Sequence, residues 1–283
     1  MGPGHYTGSS TRTFSARGRR YCSVVRELVH KLSRAGLREI LQRGGGTMPT
    51  NAQARIQSEE LKAFLDARCF AYQLLQKTFV AEPERGYVLS LTSSGLVQQF
   101  PFRHENALIE QGVAEADGYL SDPANSSLDA FETLHWDYTR LCVGPNRLAA
   151  PPWESAYLNP DRLLFQQETL EVRAAYLEYC FIAPEFPHEP DDHIGFELDF
   201  MQQTSQLAAA RAEQGDGDGL VAVCRDQLRF LDQHLLKWAP AFAADIVANA
   251  QTGFYRGMAR VLEGFLRVDR EVLTELLQEA ADA

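Results

Sequence analysis

The chain has 283 residues, 45% of them hydrophobic, and a formal net charge of −11 at pH 7. That length supports one large domain or two small ones around a core that needs no covalent staples. The acidic balance argues against a nucleic-acid partner, which needs a basic footprint, and suits a basic ligand such as an arginine-bearing peptide.

Charge is unevenly spread. Residues 1–47 hold nine Lys/Arg against two Asp/Glu, a net +7, which leaves −18 for residues 48–283. The first 20 residues are rich in Gly, Ser, Thr and Arg. Arg19-Arg20 superficially resembles a twin-arginine signal, but Arg26, Glu27, His30 and Lys31 interrupt any apolar stretch after it. Residues 23–43 suit a short basic helix that Gly44-Gly45-Gly46 ends, and Met48 follows at once. Residues 1–47 are therefore expected to be a poorly ordered extension whose deletion leaves folding intact, consistent with an upstream, mis-assigned start.

From Ser58 onward the apolar spacing is helical. Leu61, Leu65, Tyr72, Leu75 and Phe79 share one face of a helix ending near Glu82-Pro83. Shorter helices are expected at Ser93–Phe100, Glu105–Tyr119 and Leu128–Val143, and a longer one at Leu163–Tyr179. A proline-punctuated connection from Pro184 to Pro190 leads to a helix from about Asp192 to Gln214, which the Gly215–Gly219 run breaks. Cys224, Leu228, Leu231 and Leu235 follow heptad-like spacing, Trp238-Ala239-Pro240 bends the chain, and Phe254, Met258, Val261, Phe265, Val268 and Val272 mark the last helix. Alternating β-branched runs are absent, so the expected fold is all-α. Apolar runs such as Cys180-Phe181-Ile182-Ala183 are too short to cross a bilayer. The five cysteines, Cys22, Cys69, Cys142, Cys180 and Cys224, are scattered without a CxxC, which argues against disulfides or structural zinc and for a reducing compartment.

Two stretches carry chemistry. In Ala150–Tyr157, two prolines hold the backbone extended and present Trp153 beside Glu154 and Ser155. An indole next to a carboxylate can receive arginine by cation–π stacking and ion pairing. The bland alternative is a buried tryptophan pinning a loop. A nucleophilic role for Ser155 lacks a GxSxG setting. The segment Glu185–His193 gathers two histidines and four carboxylates, and His193 and Glu197 stand four apart. A cation could use such groups, and a helical metal-dependent hydrolase built on His188, Asp192 and His193 is one alternative function. However, HExxH is missing and the prolines oppose convergence, so Asp191 or Asp192 is expected to cap the following helix, with no metal bound. Asp216-Gly217-Asp218-Gly219 places Arg225 where a calcium loop needs glutamate, and reads as a linker. No Walker A or GxGxxG motif occurs, and no cofactor is expected.

The order of these blocks resembles the TorD/DmsD family of redox-enzyme maturation chaperones. Arg140-Leu141-Cys142-Val143-Gly144-Pro145, Pro151–Leu158, Thr169–Arg173 and Glu189-Pro190-Asp191-Asp192-His193-Ile194-Gly195, the last matching the family's E-P-x-D-H signature, look like consecutive family blocks. His234 to Trp238 and Phe254-Tyr255-Arg256 resemble its C-terminal helices. The fit spans about residues 58–266, closest to DmsD. It implies a chaperone domain over 48–283: a compact helical bundle of two halves, joined by a hinge near E-P-x-D-H. It also implies a cytoplasmic protein, monomeric or a domain-swapped dimer. Such a protein would bind, without chemistry, the twin-arginine signal peptide and apo form of a molybdopterin oxidoreductase before export. The family's peptide-binding positions map onto Trp153, Ser155, Tyr157, Pro190, Asp192 and His193. Glu154 stands where some relatives have glycine, and Cys142 where an aromatic is common. On this reading Trp153 receives the signal's apolar stretch, while Glu154, Asp191 and Asp192 pair its arginines. A generic helical interaction scaffold is the remaining alternative.

Overall fold

The computed structural model describes residues 51–125, 128–145, 147–159, 161–184 and 188–281. The expectations for residues 1–47, and for Cys22, lie outside them. Within the described residues every extended element is helical, and the single isolated β-bridge joins Trp153 to His193.

Helix α1 spans Asn51–Phe79 and buries the expected face of Leu65, Tyr72, Leu75 and Phe79. Helix α2 covers Arg85–Ser94, earlier than the expected Ser93–Phe100, because Gly95 adopts φ 58° and ends it with its N–H on the Leu91 carbonyl. Helix α3, Ala107–Ser121, is capped by the Asn106 side chain, which accepts from the Leu108 N–H at 2.8 Å. Helix α4, Leu128–Tyr138, widens into a π turn at Thr139–Val143. After the short α5, Ser155–Leu158, helix α6 starts only at Gln167, because Arg162 and Phe165 take positive φ values that no helix admits. Helix α7 covers Ile194–Glu213.

The glycine-rich break is shorter than its composition suggests. Asp216 caps helix α8, Gly217–Phe230, by accepting from the Gly219 N–H at 2.9 Å, and a Cβ on Gly219 would collide with the Asp216 carboxylate. A π turn at Leu231–Leu235 leads directly into α9, Leu236–Asn249, which contains Pro240. The expected bend at Trp238–Pro240 is thus absorbed within a continuing helix. A widened turn just upstream relieves the crowding between a proline ring and the preceding carbonyls. Helix α10, Gly253–Ala281, closes the bundle.

Helix α3 lies along α10 and α1 along α7, with α9 on α10 and α8 on α7. Glycines permit the closest crossing. A Cβ on Gly257 would stand 2.4 Å from the Gly112 carbonyl oxygen, and one on Gly112 equally close to Gly257. The core aromatics include Tyr72, Phe100 and Phe102 against Phe265, and Tyr176, Phe181, Phe200 and Phe230 together. Arg68 is buried on α1 and donates to both Asp269 oxygens at 2.6 and 3.0 Å and to Gln227 at 3.0 Å, tying α1 to α10 and α8. Among the described cysteines Cys142 and Cys224 are buried, Cys69 is partly so, and Cys180 is exposed at φ 54°. No helix among the described residues is long and apolar enough to cross a membrane.

Candidate functional site

The two chemically loaded stretches, some 40 residues apart, meet. Trp153 and His193 pair as an antiparallel bridge: the Glu154 N–H donates to the Asp192 carbonyl at 3.0 Å, and the Ile194 N–H to the Pro152 carbonyl at 2.8 Å. Prolines on both strands, Pro152 and Pro190, hold the backbone extended where it pairs. The indole N–H of Trp153 donates to Glu189 Oε1 at 2.7 Å, and its ring meets that of His193 edge-on at 5.8 Å.

Beneath this bridge the carboxylates hold the protein's own groups. Asp192 is fully buried. Its Oδ2 accepts from the Ser155 N–H at 2.8 Å, at the start of α5, and its Oδ1 from the Thr169 hydroxyl at 2.7 Å, in the first turn of α6. Asp191 accepts from Arg173 Nε and Nη2 at 2.9 and 2.6 Å, and its carbonyl takes the Tyr176 hydroxyl. Glu154 is buried against His234 Nδ1 at 3.0 Å. The expectation that Glu154, Asp191 and Asp192 pair incoming arginines is corrected accordingly. In this conformation all three are enclosed, and internal donors occupy them.

The capping expectation also changes. His193, not Asp191 or Asp192, caps α7: its Nδ1 accepts from the Gly195 N–H at 3.0 Å. Burial pushes the His193 imidazole down to about 3, so the ring is neutral and free to accept. Gly195 follows because a Cβ there would overlap Val80 at the end of α1. The hydrolase alternative fares no better. His188 is exposed, while Asp192 and the Nδ1 atom of His193 are engaged internally. Among the described residues no three His, Cys, Asp or Glu side chains gather as a metal set.

Of the eight residues singled out in the sequence, Trp153 and Tyr157 keep partial exposure, whereas Glu154, Ser155, Pro190, Asp191, Asp192 and His193 are buried. Tyr157 donates its hydroxyl to Asp245 at 3.1 Å and packs on Trp238 and Phe242. Burial and the Asp245 charge push its phenol pKa up. The loop after α5 leaves Leu163 and Phe165 more than half exposed, with Phe165 at a strained φ of 58°. The site also uses residues to which the sequence assigned no part in it: Thr169, Arg173, His234 and Trp238, visible only within family blocks, and Glu197, noted only for its four-residue spacing from His193. Glu168, beside Thr169, has Oε2 enclosed without a hydrogen-bond donor.

The geometry defines an all-helical protein whose distinctive surface is a proline-stiffened bridge between two loops. The family model described as "Nitrate reductase delta subunit" matches residues 106–244. The chain is 29% identical over 224 residues to "Chaperone protein TorD" of Aliivibrio fischeri, covering 76% of this chain and 98% of that protein. It is 27% identical over 228 residues to the TorD of Vibrio cholerae serotype O1 (strain M66-2), covering 78% and 98%. It is also 32% identical over 124 residues to "Probable Tat proofreading chaperone DmsD" of Haemophilus influenzae, covering 43% and 53%. The chain is thus similar, over 98% of the length of the TorD relatives, to proteins named as chaperones of the TorD/DmsD kind.

Proposed function

We propose that this protein is a maturation chaperone that binds the twin-arginine signal peptide of a molybdopterin oxidoreductase in the cytoplasm, and retains the precursor until its cofactor is inserted. The observation that carries the reading is the Trp153–His193 bridge, which sets a partly exposed indole on a backbone fixed from below. An arginine stacked on that indole would meet Glu189, already within 2.7 Å of the ring nitrogen. Tyr157, Leu163 and Phe165 offer apolar surface for the stretch that follows the arginines in such signals. The net charge of −18 over residues 48–283 favours approach of a basic peptide. In this reading Trp153 and Tyr157 touch the peptide, while Asp191, Asp192, His193, Ser155 and Pro190 hold the surface in shape. The name of the Haemophilus influenzae relative, "Probable Tat proofreading chaperone DmsD", accords with it.

Calorimetric titration with a twin-arginine signal peptide tests the proposal. Trp153→Ala is expected to weaken binding by about 2 kcal/mol or more, as removal of a buried aromatic anchor does. Replacing both arginines by lysine should weaken it too, because lysine neither stacks nor pairs in a fork. Absence of binding by the wild-type protein would overturn the reading.

A further inference from the structure

We propose that Glu154 and Glu197 share one proton, and that this proton positions the Trp153–Ser155 loop for its ligand. The positioning half rests on the peptide-binding reading above; the shared proton does not.

Both carboxyl groups are buried, Glu154 just before α5 and Glu197 in the first turn of α7. The Trp153–His193 bridge brings their two segments together, and the partners of the two carboxyl groups, His234 and Trp238, stand four residues apart along one helical run. The Trp238 indole N–H donates to Glu197 Oε2 at 3.3 Å, while Glu197 Oε1 receives no N–H or O–H donor from elsewhere. His234 Nδ1 stands 3.0 Å from Glu154 Oε2. Two ionised carboxylates held this near each other would repel in a dry interior, and one proton between them replaces that repulsion with a hydrogen bond. The chain of donors then runs from Trp238 to Glu197, from protonated Glu197 to Glu154, and from His234 to the same Glu154.

The surroundings agree. Burial, followed by the negative charges of Glu154 and Asp192, holds the Glu197 carboxyl well above the usual carboxylate range. Facing groups are Asp192 from the bridge strand, Tyr176 from α6, His234 from the π turn and Lys237 from α9. Lys237 and His234 both favour the charge on Glu154, which leaves the proton with Glu197. A cleft of about 20 Å³ beside Tyr179, Asp226, Arg229 and Gln233 reaches His234, room for a single water through which protons can exchange.

Because the Glu154 N–H makes the bridge bond to Asp192, anything that displaces Glu154 moves Trp153. Loss of the shared proton at alkaline pH sets two carboxylates against each other and loosens that loop. Glu197→Gln is the informative variant: its amide N–H replaces the proton towards Glu154, its oxygen still accepts from Trp238, and it does not titrate. Infrared spectra of the peptide-free protein, wild type minus Glu197→Gln, are expected to show a protonated carboxyl band at neutral pH that vanishes at alkaline pH. Titration with a twin-arginine peptide over the same range should show wild-type affinity falling by about tenfold or more, with the variant flat. Melting curves first establish that the variant is folded; Glu154→Gln, which can donate to Glu197 and accept from His234, substitutes if it is not. No difference band at neutral pH, or a variant that follows the wild-type affinity profile, would overturn the proposal. A band with no peptide binding at any pH would uphold the shared proton and overturn the peptide reading.

Discussion

Replacing Asp192 separates a framing role from direct contact with a ligand. Asp192 is 0% exposed and satisfies two donors, the Ser155 N–H at 2.8 Å and the Thr169 hydroxyl at 2.7 Å. Asp192→Ala strands both in a closed space, at about 1–3 kcal/mol for each unmade hydrogen bond. Removing a negative charge near Glu154 and Glu197 returns part of that. The net expectation is a loss of about 2–4 kcal/mol in urea unfolding. Asp192→Asn behaves differently. Its oxygen still accepts from Ser155, and its amide can donate to the Thr169 oxygen, so the loss should stay near 1 kcal/mol. Thr169→Val in the Asp192→Ala background should cost less than in wild type, since the partner is already gone. An Asp192→Ala protein within about 0.5 kcal/mol of wild type would refute the framing role. In peptide titration, folded Asp192→Asn should bind nearly as wild type; a direct, desolvated ion pair would instead lose about 2–5 kcal/mol.

Asp269→Ala leaves Arg68 buried and unpaired between α1, α8 and α10, and should cost about 3–5 kcal/mol in denaturant unfolding. Gly257→Ala drives a methyl group into the Gly112 backbone on α3, and melting should show a destabilisation of about 1–3 kcal/mol or more. His193 gives an acid limb. The unfolded imidazole takes a proton below about pH 6.5, whereas the buried ring resists to about 3. Its contribution is therefore complete above that unfolded value and is lost as pH falls towards 3, by on the order of 3–5 kcal/mol in all. His193→Asn, still able to cap α7, should show a shallower acid limb in pH-dependent unfolding.

The helical faces were legible because burial repeats with the helical period. Leu65, Tyr72, Leu75 and Phe79 on α1, and Phe254, Met258, Val261 and Phe265 on α10, are all core. Boundaries failed where backbone geometry overrides composition. Arg162 and Phe165 delay α6 with positive φ, Gly95 stops α2, and a π turn lets α9 run through Pro240. The two site stretches were identifiable from their prolines and from the family blocks, but their roles were not. Glu154 has the composition of an exposed arginine receptor; its burial is decided by His234, 80 residues later, and by Glu197. Likewise Asp192 has the composition of a helix cap, yet the bridge turns it towards Ser155 and Thr169, and His193 is left to cap α7. Pairings of that span, like Arg68 with Asp269 across 201 positions, leave no periodic trace in a single sequence.

Calorimetric titration of the full chain with a twin-arginine signal peptide, comparing wild type with folded Trp153→Ala, tests the central claim most directly. The account predicts saturable binding by the wild type and a loss of about 2 kcal/mol or more in the variant. Equal affinity in the two proteins would contradict the site, and no binding by either would contradict the function.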